Sequence, residues 1–203
     1  MKIWLKSVLV VCIGLFIPLV SANLTVYDEI PLKFPWTGFI GSNNGASLTG
    51  PNGLNTAWGT DRESGIYCAK IPYDGSLEDW AGVYIQADLS PCSYSGGVPG
   101  WCRGPGRGKD LTGAKQLIFY ARGELGGENV KFGYGYDQAD ESGFTDSAFA
   151  NRMETLTNYW QEYQFNLTGM DLSHINGLFM FSVDKYNNPL GVTFYLDNIT
   201  YIY

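Results

Sequence analysis

Short runs in which apolar and polar residues alternate dominate the chain after residue 22. They are rich in Val, Ile, Phe, Tyr and Trp, and clusters of Gly, Asn, Pro, Asp and Ser separate them, which is typical of strands joined by turns. No window keeps the 3.6-residue apolar period of a helix. Strands are predicted over Gly65–Ile71, Ala81–Ala87, Gln116–Arg122, Asn129–Tyr136, Trp160–Asn166, Leu178–Val183 and Thr193–Tyr203. The pattern predicts an all-β antiparallel sandwich or barrel.

Alternation assigns a core face and an outer face to the strand around residue 119. Leu117, Phe119 and Ala121 share one face, which suits the core because all three are apolar. Tyr120 and Arg122 share the opposite face, where aromatic and charged groups can meet a ligand.

The strand around residue 84 divides in the same way. Val83 and Ile85 point to the predicted core, so Trp80, Tyr84 and Gln86 lie on the outer face. Both strands therefore supply candidates for a ligand-binding surface.

The stretch FYARGELGGENVKFGYG, residues 119–135, has the glycine content of a binding loop but lacks the chemistry of one. It has no Lys-Ser/Thr pair of a phosphate loop and no third glycine of a dinucleotide fingerprint. Its glycines predict a tight β-hairpin, because glycine adopts positive φ most easily. Glu124 and Glu128 are then turn and strand-start residues, and Glu128 is predicted to orient Arg122 or the loop.

The first 22 residues have the pattern of a secretory signal peptide: Lys2 and Lys6, an apolar run, and a small-residue cleavage site ending at Ala22. We expect residues 23–203 to form a single secreted domain at the cell surface or outside the cell. Loss of the two lysines moves the net charge from −7 to −9, which makes nucleic acid a poor partner. No second apolar segment approaches membrane length.

A long Gly- and Pro-rich segment, SPCSYSGGVPGWCRGPGRG at residues 90–108, contains Trp101 and two cysteines. It is predicted to be either a solvated insertion or a binding loop with an exposed aromatic residue. Cys92 and Cys102 flank the loop, and a disulfide between them is one prediction; pairing of Cys68 with either one is the alternative. Cys68 itself alternates with apolar residues and resembles a buried thiol.

Three fragments follow one another along the chain: DLTGAKQLIFYARGELGGE, YWQEYQFNLTGMDLS and FYLDNI. In their order and spacing they resemble jelly-roll carbohydrate-binding modules of the galactose-binding-like type, and the likeness covers the chain from about Gly38 to its end. The resemblance implies a jelly-roll β-sandwich that binds a polysaccharide or another glycan.

The resemblance also implies calcium. Modules of this type often hold one structural calcium ion between an acidic residue near the first strand and an aspartate of the last strand. The matching positions are Asp28 or Glu29, in VYDEIP, and Asp197, in YLDNI. Carboxylate and carbonyl oxygens are the ligands that this ion prefers.

Sugar binding needs flat apolar rings for the C–H faces of a sugar and planar polar groups for its hydroxyls. Two other tryptophans, Trp36 and Trp160, are predicted to lie in the core. The candidate ligand-binding residues are Trp80, Tyr84, Gln86, Tyr120 and Arg122 from two strands, with Trp58 and Trp101 from loops.

No pattern of catalytic residues stands out. Glu124 and Glu128 lie at a glycine-rich turn rather than in a rigid cleft, and no GxSxG motif accompanies the single histidine, His174. We therefore expect a non-catalytic protein. The alternative to a glycan-binding protein is a structural or self-assembling extracellular protein, in which the aromatic last strand pairs with a neighbouring molecule at a sheet edge.

Overall fold

A computed structural model describes residues 22–87, 108–136 and 145–203 of the protein. Within these ranges the chain forms eleven strands and one short helix, α1, at Ala46–Thr49. The strands are β1 Leu24–Tyr27, β2 Trp36–Gly41, β3 Asn55–Trp58, β4 Cys68–Tyr73, β5 Trp80–Gln86, β6 Gln116–Gly123, β7 Asn129–Tyr134, β8 Ala150–Thr155, β9 Gln161–Asn166, β10 Gly177–Asp184 and β11 Val192–Ile202.

The strands form two antiparallel sheets that pack face to face. Sheet A has the order β3-β4-β11-β6-β9, with β1 pairing the far end of β11. Sheet B has the order β2-β5-β10-β7-β8. The protein is therefore an antiparallel jelly-roll β-sandwich, which confirms the predicted fold class.

Aromatic rings from the two inner faces meet in the core between the sheets. Phe119 of sheet A packs against Phe132 and Phe179 of sheet B, with ring centroids 4.9 and 5.0 Å apart. Phe181 and Phe194 form a similar contact at 5.2 Å. All five side chains are almost completely buried, so the strands are fixed by burial of their alternate residues.

All seven predicted strands are present, and the core faces predicted for two of them are confirmed. Leu117, Phe119 and Ala121 have no exposed surface, and Val83 and Ile85 are also buried. Each strand begins or ends within a few residues of its predicted limits.

The strands that the pattern missed are short or carry little alternation. β1 and β3 have four residues each, and β2, with the sequence WTGFIG, contains two glycines. β8 is an edge strand with the polar sequence ANRMET, and its side chains are mostly exposed. Half-exposed edge strands bury too little surface to need an apolar face.

The prediction of a hairpin at residues 119–135 is wrong, although the turn itself exists. β6 belongs to sheet A and β7 to sheet B, so the turn carries the chain from one sheet to the other. Gly126 and Gly127 have φ values of 88° and 94°, which glycine adopts without steric cost. The turn forms hydrogen bonds with the segment that follows β8: the Gly127 N–H donates to the Leu156 carbonyl, and the Leu156 N–H donates to the Glu128 carbonyl.

Two further predictions are corrected by the strand order. β11 lies inside sheet A, between β6 on one side and β4 and β1 on the other, so it offers no free edge to a neighbouring molecule. Cys68 is buried, as predicted, and is a free thiol. The two alternative disulfides that use Cys68 are therefore wrong.

None of the helices in the described ranges is long and apolar enough to cross a membrane.

Candidate functional site

The ligand-binding residues predicted on two strands lie on opposite sheets of the sandwich. Trp80, Tyr84 and Gln86 are on β5, in sheet B, whereas Tyr120 and Arg122 are on β6, in sheet A. The structure therefore does not bring these two sets together. Alternation predicted which side chains point away from the core, but it did not predict the sheet to which each strand belongs. Because β5 and β6 lie in different sheets, their outward side chains point in opposite directions.

On the outer face of sheet A, aromatic rings and cations alternate in a row that crosses the sheet. We call Trp58, Lys70, Tyr195, Arg122 and Trp160 the aromatic–cation row. The Lys70 Nζ lies 4.3 Å from the Trp58 ring centroid and 5.9 Å from that of Tyr195. The Arg122 guanidinium carbon lies 3.9 Å from the Tyr195 ring and 5.6 Å from the Trp160 ring. Strand register explains the row, because Lys70 and Arg122 both lie directly opposite Tyr195.

Arg122 is largely committed to contacts within the protein. Its side chain is 8% exposed and forms an ion pair of 2.5 Å with Asp61, in the loop after β3. It also donates to the Gly123 carbonyl at 3.0 Å. Trp160 reaches the same loop by donating its indole N–H to the Asp61 carbonyl at 3.1 Å. Trp160 is thus half-buried on this outer face, and its predicted place in the core is wrong, whereas Trp36 is in the core as predicted.

Tyr120 is similarly engaged. Its hydroxyl donates to a carboxylate oxygen of Glu162 at 2.8 Å, and this hydrogen bond is the main reason that the pKa of Tyr120 is raised to about 12. The two predicted ligand-binding residues on β6, Tyr120 and Arg122, are therefore both engaged in contacts with other side chains of the protein.

The outer face of sheet B has an open groove beside Trp80. The indole is 40% exposed, and the groove has a volume of about 600 Å³. Its lining combines aromatic and polar side chains from β5, β7, β10 and the turn after β10. The lining residues are Asp79, Trp80, Lys131, Ser182, Val183, Asp184, Lys185 and Tyr186.

The pairing register of β10 with β5 and β7 determines where the polar groups of this groove lie. Asp184 lies opposite Trp80, and Ser182 lies opposite Lys131. Both carboxylate oxygens of Asp184 accept hydrogen bonds from Asn187, which holds the following turn. Neither Lys131 nor Lys185 forms a salt bridge within the described ranges. The groove therefore offers ammonium donors, a hydroxyl group and exposed aromatic rings.

Farther along the same face, Tyr84 and Gln86 are buried rather than exposed. Tyr84 packs on Tyr136 with ring centroids 4.4 Å apart, and the Tyr136 hydroxyl accepts a hydrogen bond from the Gln86 amide. Met180 completes this small cluster. Tyr84 and Gln86 are thus buried by their neighbours on this face. Of the three ligand-binding residues predicted on β5, Trp80 lines the groove.

The predictions missed most of the groove. Lys131, Ser182 and Asp184 come from strands whose pairing with β5 cannot be seen in local alternation. Tyr186 follows β10 in a turn and is 93% exposed; its signal was an aromatic residue in the polar turn DKYNNP.

The predicted calcium ligands lie in one acidic region: Asp28 and Glu29 directly follow the end of β1, and Asp197 lies in the middle of β11. Asp197 is fully buried, and burial raises the pKa of its carboxyl group to about 7, although backbone N–H groups of Glu63, Ser64 and Asn198 lower it. Burial, followed by the charges of Glu29 and Glu63, raises the pKa of Asp28. Such a concentration of carboxylates fits a hard cation by charge and by oxygen chemistry.

The side chains of this acidic region do not converge on one point. The described ranges contain no group of three or more His, Cys, Asp or Glu side chains placed to hold a metal ion. Asp197 instead accepts the N–H groups of Glu63 and Ser64, and Glu29 accepts the N–H of Ile66. Closing around an ion would require rearrangement of the loop at residues 61–66.

Trp101, Cys92 and Cys102 lie outside the described residues. Their predicted roles in a binding loop and a disulfide stay predictions.

Comparison with known proteins identifies the fold. No protein-family model matches the sequence, and no curated protein matches it either. Among solved structures, a family 30 carbohydrate-binding module is similar at 17% identity, with a TM-score of 0.57, over 89% of this chain and 87% of the other. A family 11 module of a cellulosomal cellulase of Clostridium thermocellum is similar at 14% identity and a TM-score of 0.55, over 90% and 96%.

A family 11 module from the same organism, in complex with a β-1,3-1,4-mixed-linked tetrasaccharide, is similar at 12% identity and a TM-score of 0.55, over 90% and 97% of the two chains. The chain thus has the jelly-roll fold of carbohydrate-binding modules, as the resemblance implied. Identity at this level supports the fold alone.

Proposed function

We propose that this protein is a secreted, non-catalytic protein that binds a polysaccharide or glycan in the groove beside Trp80. The single observation that carries the proposal is the combination, on the outer face of sheet B, of an exposed indole, a serine hydroxyl and two lysines that form no salt bridge within the described ranges. An indole ring can cover the C–H face of a sugar, and Lys131 and Ser182 can bind its hydroxyls. The known glycan-binding modules of the same fold add support.

Trp80→Ala tests the proposal against neutral polysaccharides. Mixed-linkage β-glucan is the first choice, because a module of the same fold is known in complex with an oligosaccharide of that linkage; xylan, mannan and chitin follow. We expect the substitution to weaken binding about tenfold or more, which corresponds to ~1.4 kcal/mol or more. Affinity electrophoresis and titration calorimetry provide the measurement.

Tyr120→Ala is the matched control, because it removes an aromatic side chain from the outer face of sheet A. It should leave glycan binding unchanged. Equal loss of binding in both variants, or folded protein that binds none of these glycans, would contradict the proposal.

We also propose that one calcium ion stabilises the acidic region around Asp197. The buried carboxyl group and its raised pKa support this, because a bound cation would offset the repulsion among neighbouring carboxylates. At a calcium concentration of about 100 Kd, the melting temperature should rise by roughly 5–10 °C relative to protein in chelator. Asp197→Asn should abolish that rise, and melting that is the same with and without chelator would refute calcium binding.

Self-assembly remains the alternative function. The strand expected to pair with a neighbour lies inside sheet A, so assembly would have to use another surface. Light scattering distinguishes the two functions: a monomer that binds glycan agrees with the proposal, and a stable oligomer without glycan affinity favours assembly.

A further inference from the structure

A second groove, which we call the end groove, opens at one end of the sandwich. Four connections form it: α1 with the turn after it, and the turns after β4, β6 and β10. Its volume is about 810 Å³, and it shares no lining residue with the groove beside Trp80. The two grooves can therefore be disrupted separately.

Three different turns each place an exposed leucine at the end groove. Leu125 and Leu190 are 84% and 98% exposed, and Leu77 is 50% exposed. Leucines that are scattered over a surface need no explanation, but three that converge on one groove from separate turns form an apolar rim. Such clustered exposure is typical of surfaces that bind another protein.

The charge of the end groove has one sign. Asp74, Glu124 and Glu128 line it, and no lysine, arginine or histidine is among the described residues that do so. Hydrogen bonds from the hydroxyl and N–H of Ser76 lower the pKa of Asp74, so that carboxylate stays ionised. The groove beside Trp80, by contrast, has two lysines.

Glu128 adds a polar atom that has no hydrogen-bond partner among the residues that the structure describes. The residue is 95% buried, and one of its carboxylate oxygens accepts the Leu125 N–H at 2.7 Å. The other oxygen is buried without a hydrogen-bond partner. Glu128 is thus the buried member of the three acidic residues that line the end groove.

The turns that form the end groove are held firmly. The amide of Asn188 donates to the Asn129 carbonyl at 2.8 Å, and its oxygen accepts the Asn129 N–H at 3.0 Å. The Gly191 N–H donates to the Asn188 carbonyl, and the Gly127 N–H to the Leu156 carbonyl. A groove that is already ordered loses little conformational entropy when a partner binds.

We propose that the end groove docks an extended segment of a protein partner in which basic side chains alternate with apolar ones. Lysine or arginine would pair with the carboxylates, and apolar side chains would cover the three leucines. A neutral glycan has no positive charge with which to pair these carboxylates. The proposal is independent of glycan binding beside Trp80.

The probe is a fluorescein-labelled ten-residue peptide with alternating Lys and Leu, and the control probe has Glu in place of each Lys. Fluorescence anisotropy should show saturable binding of the Lys-Leu peptide only, and binding should weaken steeply from low to high salt. The double variant Leu125→Ser/Leu190→Ser should weaken it about tenfold or more. Glu124→Gln should weaken it a few-fold.

Trp80→Ala is the control variant, and it should bind the peptide as the unaltered protein does. Equal binding of both peptides, no saturable binding, or unchanged binding by the leucine double variant would overturn the proposal. The exposed leucines contribute little to the fold, so unaltered melting temperatures should confirm that the double variant is folded. In NMR spectra, the resonances of Leu125 and Leu190 should shift when the peptide is added. Shifts of these resonances on addition of a glycan instead of the peptide would also overturn the proposal.

Discussion

Two outward-facing residues with similar predicted roles, Trp80 and Arg122, have different surroundings. Trp80 stands beside an open groove, whereas Arg122 lies between two aromatic rings and an aspartate. Alternation reports the face on which a side chain lies, but not what covers that face. The loop that carries Asp61 is distant in sequence from both strands, and for that reason the burial of Arg122 could not be predicted from local pattern.

Arg122→Ala should destabilise the protein and leave glycan binding intact. The change removes the stacking of the guanidinium on Tyr195 and the ion pair with Asp61. We expect the free energy of unfolding to fall by about 1–3 kcal/mol. Denaturation by urea measures it, with the exposed Lys115→Ala as a control that should cost little. A strong loss of glycan binding with unaltered stability would contradict this structural role.

The stability of calcium-free protein should depend on Asp197 between about pH 4 and pH 7. The carboxyl group releases its proton near its usual pKa in the unfolded chain, but near 7 in the folded protein. The folded state therefore binds more protons in this range, so the contribution of Asp197 to stability is lost as the pH rises through 7.

Urea denaturation in chelator at pH 5 and pH 8 measures this effect. The decline in unfolding free energy should be smaller in Asp197→Asn than in the unaltered protein. An equal decline in the two proteins would show that Asp197 titrates normally.

At the scale of elements, apolar alternation predicted the positions of strands well, but the pairing of β6 with β7 that was predicted from the glycine-rich turn is absent. Seven strands lie close to their predicted positions, because each buries a regular set of side chains. The turn after β6 contains the glycines of a hairpin, yet it joins the two sheets. Glycine permits several turn geometries, and the choice depends on the segment at residues 156–157, with which the turn forms its hydrogen bonds.

Glu128 should be the side chain that stabilises this connection. It is predicted from sequence to orient Arg122 or the loop, and the loop alternative holds, since Glu128 accepts the Leu125 N–H. Glu128→Ala should lower the free energy of unfolding by about 1–3 kcal/mol, because the N–H loses its acceptor and the buried site loses volume. Thermal denaturation provides the measurement.

Glu124→Ala, in the same turn but at an exposed position, is the matched control. Its effect should be well below that of Glu128→Ala. Similar small effects from both changes would mean that the turn holds its shape without the carboxylate.

At the scale of the whole molecule, the sandwich places β5 and β6 in different sheets. From the sequence alone, the outward residues of these two strands belong to one candidate site. The outward direction of Trp80 could be predicted from sequence, because alternation within one strand is enough to assign it. The positions of Lys131 and Ser182 beside Trp80 could not be predicted, because they depend on the order of strands in sheet B. The leucines of the end groove likewise meet only after four connections converge.

The central claim is that glycan binds on the outer face of sheet B, and the indole N–H resonances of the tryptophans test it most directly. Trp80 reports on that face, whereas Trp58 and Trp160 report on sheet A. Titration with the polysaccharide that binds best, or with an oligosaccharide of it, should shift the Trp80 resonance and leave those of Trp58 and Trp160 in place. Shifts confined to Trp58 and Trp160, or saturating binding that leaves Trp80 unaffected, would contradict the account.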